Sequence, residues 1–153
     1  MALELSPINA LSYQILRSNY AVLDIDHPNT SAGDLAFNYD TSELMRQEGG
    51  ADKLEAVLEV RVAPNDGSPS GYELDVAVRG VFVAAYMEEA GSQEDFEMFM
   101  KVNAFTLLYA FIRSHVQMLT SISPSGQICL PCLDVGSIVD SLSTPSADLE
   151  EAE

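Results

Sequence analysis

The stretch Asn103-Ala-Phe-Thr-Leu-Leu-Tyr-Ala-Phe-Ile-Arg-Ser-His-Val-Gln-Met-Leu-Thr120 decides how this chain folds. Its composition is helical, yet its first half has no wet side. From Ala104 to Ile112 only Thr106 is not apolar. A surface helix of a small monomer keeps one solvated face, so a helix that is apolar all round must be covered all round. One sheet covers one side. The other side most simply meets a second copy of the chain. An oligomer is therefore expected, held through residues 96–120, with Phe105, Leu108, Tyr109, Ile112 and Val116 as its interface.

Working outward, Ser92-Gln-Glu-Asp95 reads as the helix start, with Ser92 as N-cap and acids in the first turn. The helix is expected to run to about Ser121, with a break near Val102-Asn103. Pro124 and Gly126 end it. Ile128-Cys-Leu-Pro-Cys-Leu-Asp-Val135 is an apolar connector containing a proline. Asp134 is the expected cap of a short final helix, Val135 to Leu142. Residues 144–153 read as an acidic tail with too little apolar area to order itself.

Upstream the signal is β. Leu54, Ala56, Leu58, Val60 and Val62 form one face, and Lys53, Glu55, Val57, Glu59 and Arg61 the other. Residues 64–71 are a long turn. The return strand sets Tyr72, Leu74, Val76 and Val78 against Glu73, Asp75, Ala77 and Arg79. After Gly80 both faces are apolar, and that glycine predicts a bulge or a close backbone approach. Leu35, Phe37 and Tyr39 alternate with Ala36, Asn38 and Asp40, which makes a second short strand. Another half-buried strand is expected over 17–26, with Ala21, Leu23 and Ile25 on one face. The turn His27-Pro-Asn-Thr-Ser-Ala-Gly33 comes after it. Residues 41–52 read as a loop of low local order, and residues 1–12 as a flexible arm.

Composition narrows the function classes. A chain of 153 residues with 47% hydrophobic content makes one globular domain. The 24 acids against 7 bases give a formal charge of −17, which repels nucleic acid and anionic membranes. The longest apolar run is too short to span a bilayer. The start Met-Ala-Leu-Glu-Leu-Ser-Pro lacks a basic segment and a long apolar one, so the expected location is the cytoplasm.

No catalytic constellation stands out, and the chain is read as a non-enzyme without a cofactor. Cys129-Leu-Pro-Cys132 is a C-x-x-C motif, and a thiol oxidoreductase using both is the rival class. Redox chemistry of that kind needs the first thiol at a helix N-terminus, whereas this motif lies in the connector. A structural zinc site takes four ligands, and His27, His115, Cys129 and Cys132 are too scattered to supply them. Excess apolar surface is what remains, to be consumed by oligomerisation or left open for other chains.

The order of these features resembles the SecB export chaperones. The resemblance rests on the strands and hairpin, Arg17…Asp26-x-Pro28, and Gly80-Val81-Phe82. Leu107-Leu108-Tyr109…Ile112-Arg113…Val116…Leu119 continues it. Ile128-x-Leu130-Pro131-x-Leu133-x-Val135, the short helix and the acidic tail complete it. It covers residues 13–143. It implies an α+β fold, a four-stranded antiparallel sheet with one long helix and a short lid helix, assembled as a dimer of dimers. It further implies a cytoplasmic holdase that keeps preproteins unfolded and passes them to the SecA motor. Some SecB-like chaperones instead protect one partner, such as an antitoxin. The family's acidic motor-docking patch falls on Asp26 and Asp75, with Asp24 and Glu73 nearby, while one of its acids falls on Val22. The chain departs from the family at Ala110, where a proline is frequent, and at Cys132-Leu133-Asp134-Val135, where Pro-x-Asn-Phe is favoured. A client groove is expected between connector, lid and strand ends, lined by Phe37, Tyr39, Ile128, Leu130, Leu133 and Ile138. Its warrant is an apolar connector that must lie on apolar surface while Pro131 keeps it from completing a strand.

Overall fold

The computed structural model describes residues 6–23, 34–63, 72–85, 91–123 and 126–143. Seven elements succeed one another: β1 (Ile8–Val22), β2 (Asp34–Thr41), β3 (Met45–Arg46), β4 (Ala51–Ala63), β5 (Tyr72–Ala85), α1 (Gln93–Thr120) and α2 (Val135–Ser143). The turns expected over 27–33 and 64–71, and the tail 144–153, lie outside the described residues. The architecture is α+β. The antiparallel sheet has the strand order β1-β5-β4-β2, and β3 pairs with β4 beyond β2.

The β4–β5 pair is the centre of the molecule because both strands keep strict alternation. Leu54, Ala56, Leu58, Val60 and Val62 are buried on the inner face, and Tyr72, Leu74, Val76 and Val78 lie beside them. Each fully buried valine or leucine side chain contributes about 1.5–3 kcal/mol. α1 lies across this face and buries Phe96, Met100, Ala104, Leu108, Ile112 and Val116 on it. The N-cap forms as expected. Asp95 N–H donates to Ser92 Oγ at 3.2 Å, and Ser92 N–H donates to Asp95 Oδ2 at 3.0 Å. The expected break near Val102-Asn103 is absent. α1 is continuous over 28 residues, and Asn103 Nδ2 donates back to Phe99 O at 2.8 Å within the helix.

β1 corrects two expectations. It begins at Ile8, inside the segment read as an arm, and pairs with β5 from Ile8↔Ala84 to Val22↔Tyr72. The register slips at Leu11 and again at Leu16, each an extra residue in β1. Each extra residue resets the alternation. The face toward α1 is therefore carried by Tyr13, Ile15, Ser18, Tyr20 and Val22, opposite the inner residues of β5. Tyr13 stacks on Phe111 with ring centroids 4.7 Å apart. The segment 41–52, read as a loop, contains β3. Met45 and Arg46 pair with Lys53 and Asp52, and Arg46 Nε reaches the buried Asp52 carboxylate at 3.3 Å.

Gly80 has the close approach that its sequence context predicts, and β5 itself is not bulged there. A Cβ at this position would lie 2.6 Å from the Phe82 ring and 3.0 Å from a Leu108 methyl. Phe82 is fully buried, so moving its ring means repacking the core around it. Gly80→Ala should therefore destabilise the fold by about 1–3 kcal/mol, the range for overpacking. Urea unfolding checks this, and an unchanged midpoint would show that the helix can stand further from β5.

Candidate functional site

The site begins with how the connector is held. Residues 126–134 run back along α1 as an extended strap. Thr120 Oγ1, itself buried, accepts Ile128 N–H at 2.8 Å and donates to Val116 O at 2.7 Å. Arg113 Nε donates to Leu130 O at 3.0 Å, and Tyr109 Oη donates to Pro131 O at 2.7 Å. Ile128 and Leu130 turn inward and are 6% and 2% exposed. These two expected groove residues are therefore core. A leucine pinned between two backbone carbonyl contacts lies under the strap, on the helix side. A charge at position 130 would disrupt folding instead of client binding.

The groove opens where the strap ends. A cavity of about 530 Å³ is lined by Phe37, Tyr39 and Phe105 on one side and by Leu133, Ile138 and Leu142 on the other, with Cys132, Asp134, Ser137 and Ser141 along its rim. The structure thus brings together four of the six expected contacts, Phe37, Tyr39, Leu133 and Ile138. Phe105 and Leu142 are lining residues that the sequence alone does not single out. Phe105 is expected at a subunit interface, and only the strand next to α1 shows its other role. The floor is aromatic: Phe37 lies 6.0 Å from Phe105 and 5.7 Å from Tyr109 by ring centroid, and Tyr39 meets Phe105 edge-on at 5.1 Å. Tyr39 Oη donates to Lys101 O at 2.7 Å, and burial pushes its hydroxyl pKa up, so it stays neutral.

α2 forms the lid. Asp134 caps it as expected, accepting Ser137 N–H on Oδ2 at 2.9 Å. Ile138 is the only residue of the lid that is buried, while Val135 at its start is 53% exposed. The lid rests on one isoleucine and half-buried Leu142.

The expected interface residues Phe105, Leu108, Tyr109, Ile112 and Val116 all face inward and are buried within the chain itself. The sheet and strap take them, so they are not available to another subunit. The outward stripe of α1 is instead Thr106, Ala110, Ser114 and Met118, flanked by half-buried Phe99, Val102, Leu107 and Phe111. Thr106 Oγ1 donates to Val102 O at 2.9 Å, so this stripe presents few free polar groups.

The expected acidic patch is only partly visible. Asp24 and Asp26 lie outside the described residues. Glu73 is exposed, but Asp75 is held by both Arg17 nitrogens at 2.8 and 2.9 Å and by Arg61 at 3.4 Å. The Arg17 hydrogen bonds hold the Asp75 carboxyl below the usual carboxylate range. Arg17 also reaches Glu59 at 3.3 Å, and Glu55 pairs with Arg79 and Lys53. Arg17, Lys53, Arg61 and Arg79 are four of the chain's 7 bases, and all sit on this outer sheet face. His115 is a surface group, its Nε2 2.8 Å from Ser18 Oγ on β1.

Cys129 and Cys132 are free and exposed. In an extended strap their Cα atoms stand about 10 Å apart, while a disulfide needs less than about 7 Å. Leu130 precedes Pro131 and is barred from the helical turn that would bring them together. Among the described residues no cluster of His, Cys, Asp or Glu could hold a metal, and no helix is long and apolar enough to cross a membrane.

Comparison of the sequence with known protein families finds no match, and comparison with curated proteins finds none. Among solved structures, the chain superposes on a SecB-like chaperone from Mycobacterium tuberculosis in complex with a peptide from an antitoxin. The TM-score is 0.48 at 17% identity, over 83% of this chain and 91% of that one. It also superposes on a protein of unknown function from Streptococcus agalactiae with TM-score 0.51 at 12% identity, over 82% of this chain and 97% of that one. The second likeness shows a shared overall fold.

The strap geometry yields a prediction about the thiols. In the folded protein both should react separately with a thiol reagent, and a disulfide oxidant should give mixed adducts. The internal Cys129–Cys132 bond should form only once urea has released the strap. Mass spectrometry separates these products. Complete internal disulfide in the native state would show that the strap turns freely and would revive the oxidoreductase reading.

Proposed function

We propose that this chain is a holdase that binds extended, unfolded segments of other proteins in the groove under α2. The observation that carries the reading is the aromatic floor of Phe37, Tyr39 and Phe105 facing a lid anchored by one buried side chain. Such a groove takes apolar side chains of many shapes, and each leucine-sized group contributes up to roughly 1.5–3 kcal/mol before ordering costs. No cofactor is assigned.

Two forms of the reading differ in the fate of the bound client. In the export form, unfolded preproteins pass from a cytoplasmic holdase to a SecA-like motor docked on the outer sheet face. In the dedicated form, one partner such as an antitoxin is protected. The ion pairs that Asp75 makes with Arg17 and Arg61 weaken the acidic docking patch and favour the dedicated form.

Phe37 is 39% exposed and lies on the groove floor, so Phe37→Ser should spare the fold. Its suppression of aggregation of a chemically unfolded test protein should fall about tenfold, as expected for the loss of one buried aromatic contact. Undiminished suppression would sink the groove reading. A pull-down from cytosol with both proteins then separates the forms: one Phe37-dependent partner marks the dedicated form, and many mark the export form.

The outward stripe of α1 supports a homotetramer, with closed symmetry built from second copies on Thr106, Ala110 and Met118. Met118 is 71% exposed, an exposure that a second copy would remove. Sedimentation should give a mass of about four chains, and Ala110→Glu should lower it without unfolding the protein. A monomer at micromolar concentration would end this part of the reading.

A further inference from the structure

Cys129-Leu-Pro-Cys132 is a motif that the holdase reading leaves without a use, and the structure gives its two thiols different surroundings. Both are free and exposed. Cys129 Sγ accepts a hydrogen bond from Gln117 Nε2 at 2.9 Å, where the strap runs along α1. Cys132 comes after the last fastened carbonyl, that of Pro131, and lines the groove cavity together with Leu133 and Asp134.

Where a C-x-x-C pair exchanges disulfides catalytically, a mixed disulfide on one thiol is short-lived. The second thiol attacks it and expels the adduct as the internal bond closes. Here that step is barred. Thr120, Arg113 and Tyr109 hold Ile128, Leu130 and Pro131 in an extended run. The two cysteine Cα atoms stand about 10 Å apart, beyond the reach of a disulfide. A mixed disulfide on Cys132 therefore persists until an outside thiol removes it. The same pins that argue against an oxidoreductase make a durable modification site.

We infer that Cys132 is a site of reversible S-thiolation by a low-molecular-weight disulfide, and that the adduct closes the groove to clients. This deepens the holdase reading and rests on it. The Cys132 thiol gives its proton to water, and Sγ attacks one sulfur of the disulfide R–S–S–R. The S–S bond breaks, a bond from Sγ to that sulfur forms, and RS⁻ leaves and takes up a proton as RSH. The small disulfide is the oxidant, and a reducing thiol reverses the exchange by the same route. The cavity of about 530 Å³ is of the size that takes a small organic group. An adduct bearing an ammonium or a carboxylate also sets a charge at the mouth of the cavity that Phe37, Phe105 and Leu133 line. A client side chain entering there would strip that charge of water, which is costly without a partner. Asp134 on the rim and the net charge of −17 select a cationic reagent over an anionic one. The chain thus lets go of its client when small disulfides accumulate and regains it when they are reduced.

The test uses the full chain, its Cys129→Ser and Cys132→Ser variants, and two probes, cationic cystamine and anionic oxidised glutathione. Intact mass counts the adducts, and suppression of aggregation of an unfolded test protein reads the groove. Cys129→Ser should take one adduct, keep it after the free reagent is removed, and suppress aggregation about tenfold or more weakly than before treatment. Dithiothreitol should restore it. Cys132→Ser should also take one adduct, and its suppression should be the same with the adduct as without. Added salt should slow modification of Cys132 by cystamine and speed it by oxidised glutathione. Undiminished suppression by fully modified Cys129→Ser would overturn closure of the groove. Conversion of the wild-type adduct to an internal disulfide in the folded protein would overturn the durable site. Absence of any salt effect would overturn the charge selection. A chain that suppresses nothing before treatment would count against the holdase reading, and persistence of the adduct by mass would still decide the modification site.

Discussion

One helix has to be covered on every side, and the rest of the molecule is arranged around that demand. α1 is 28 residues long, and its central stretch Ala104–Ile112 is apolar nearly all round, whereas the sheet hides only one flank of it. The inner residues of β4 and β5 take Phe96, Met100, Leu108 and Ile112. The strap takes the second flank, seating Ile128 and Leu130 against the helix and fastening itself through Thr120, Arg113 and Tyr109. Those three polar side chains are what allow an extended segment to lie on an apolar helix with its buried backbone groups satisfied. Among the described residues nothing gives such cover to the remaining outer stripe, with Ala110 and Met118.

The same demand explains where the groove is. The strap tracks α1 only as far as Tyr109, the last side chain able to hold one of its carbonyls. One turn earlier on the helix stands Phe105, whose side chain has no hydrogen-bonding group to hold a strap carbonyl, and the aromatic side chains of β2 stand beside it. The chain then leaves the surface at Leu133 and Asp134 and caps α2. The cavity is the gap between the end of the fastened strap and the edge strand.

How much of the fold is legible in the sequence depends on the regularity of each element. β4, and β5 up to Gly80, alternate apolar and polar residues almost throughout, so the inner face can be read from residue type. β1 misleads such a reading because bulges at Leu11 and Leu16 shift the alternation twice. A period-two scan across the two slips sees no strand up to Leu16; past it the register is unbroken, but apolar Ala21 lies opposite exposed Glu73 while Tyr20 and Val22 face α1, so residue type points to the wrong face. β3 is invisible because two residues carry no period; its pairing exists only through Lys53 and Asp52. α1 is recognisable as a helix. Its buried side is not, because an all-round apolar helix carries no marker of which residues meet the sheet. Phe105, Leu108, Tyr109, Ile112 and Val116 therefore read as outward when they point inward. At the site, Phe37, Tyr39, Leu133 and Ile138 are legible as apolar residues near a loose segment. Ile128 and Leu130 look the same in sequence, and only the hydrogen bonds of Arg113 and Tyr109 distinguish pinned leucine from free.

That distinction also decides which part of the site moves. Lifting the strap would expose Leu130 and Ile128 and break the bonds at Thr120, Arg113 and Tyr109. Each buried group left unpaired costs about 1–3 kcal/mol, and two aliphatic side chains would return to water as well. Lifting α2 exposes Ile138 and part of Leu142 and leaves the Asp134 cap intact, because cap and helix travel together. The cheaper motion is thus rotation of the lid about residues 131–134, with the strap as its fixed base. Proline at 131 stiffens the end of that base, and the first residue past it, Cys132, already lies on the groove rim. The strap therefore serves the helix and the lid serves the groove.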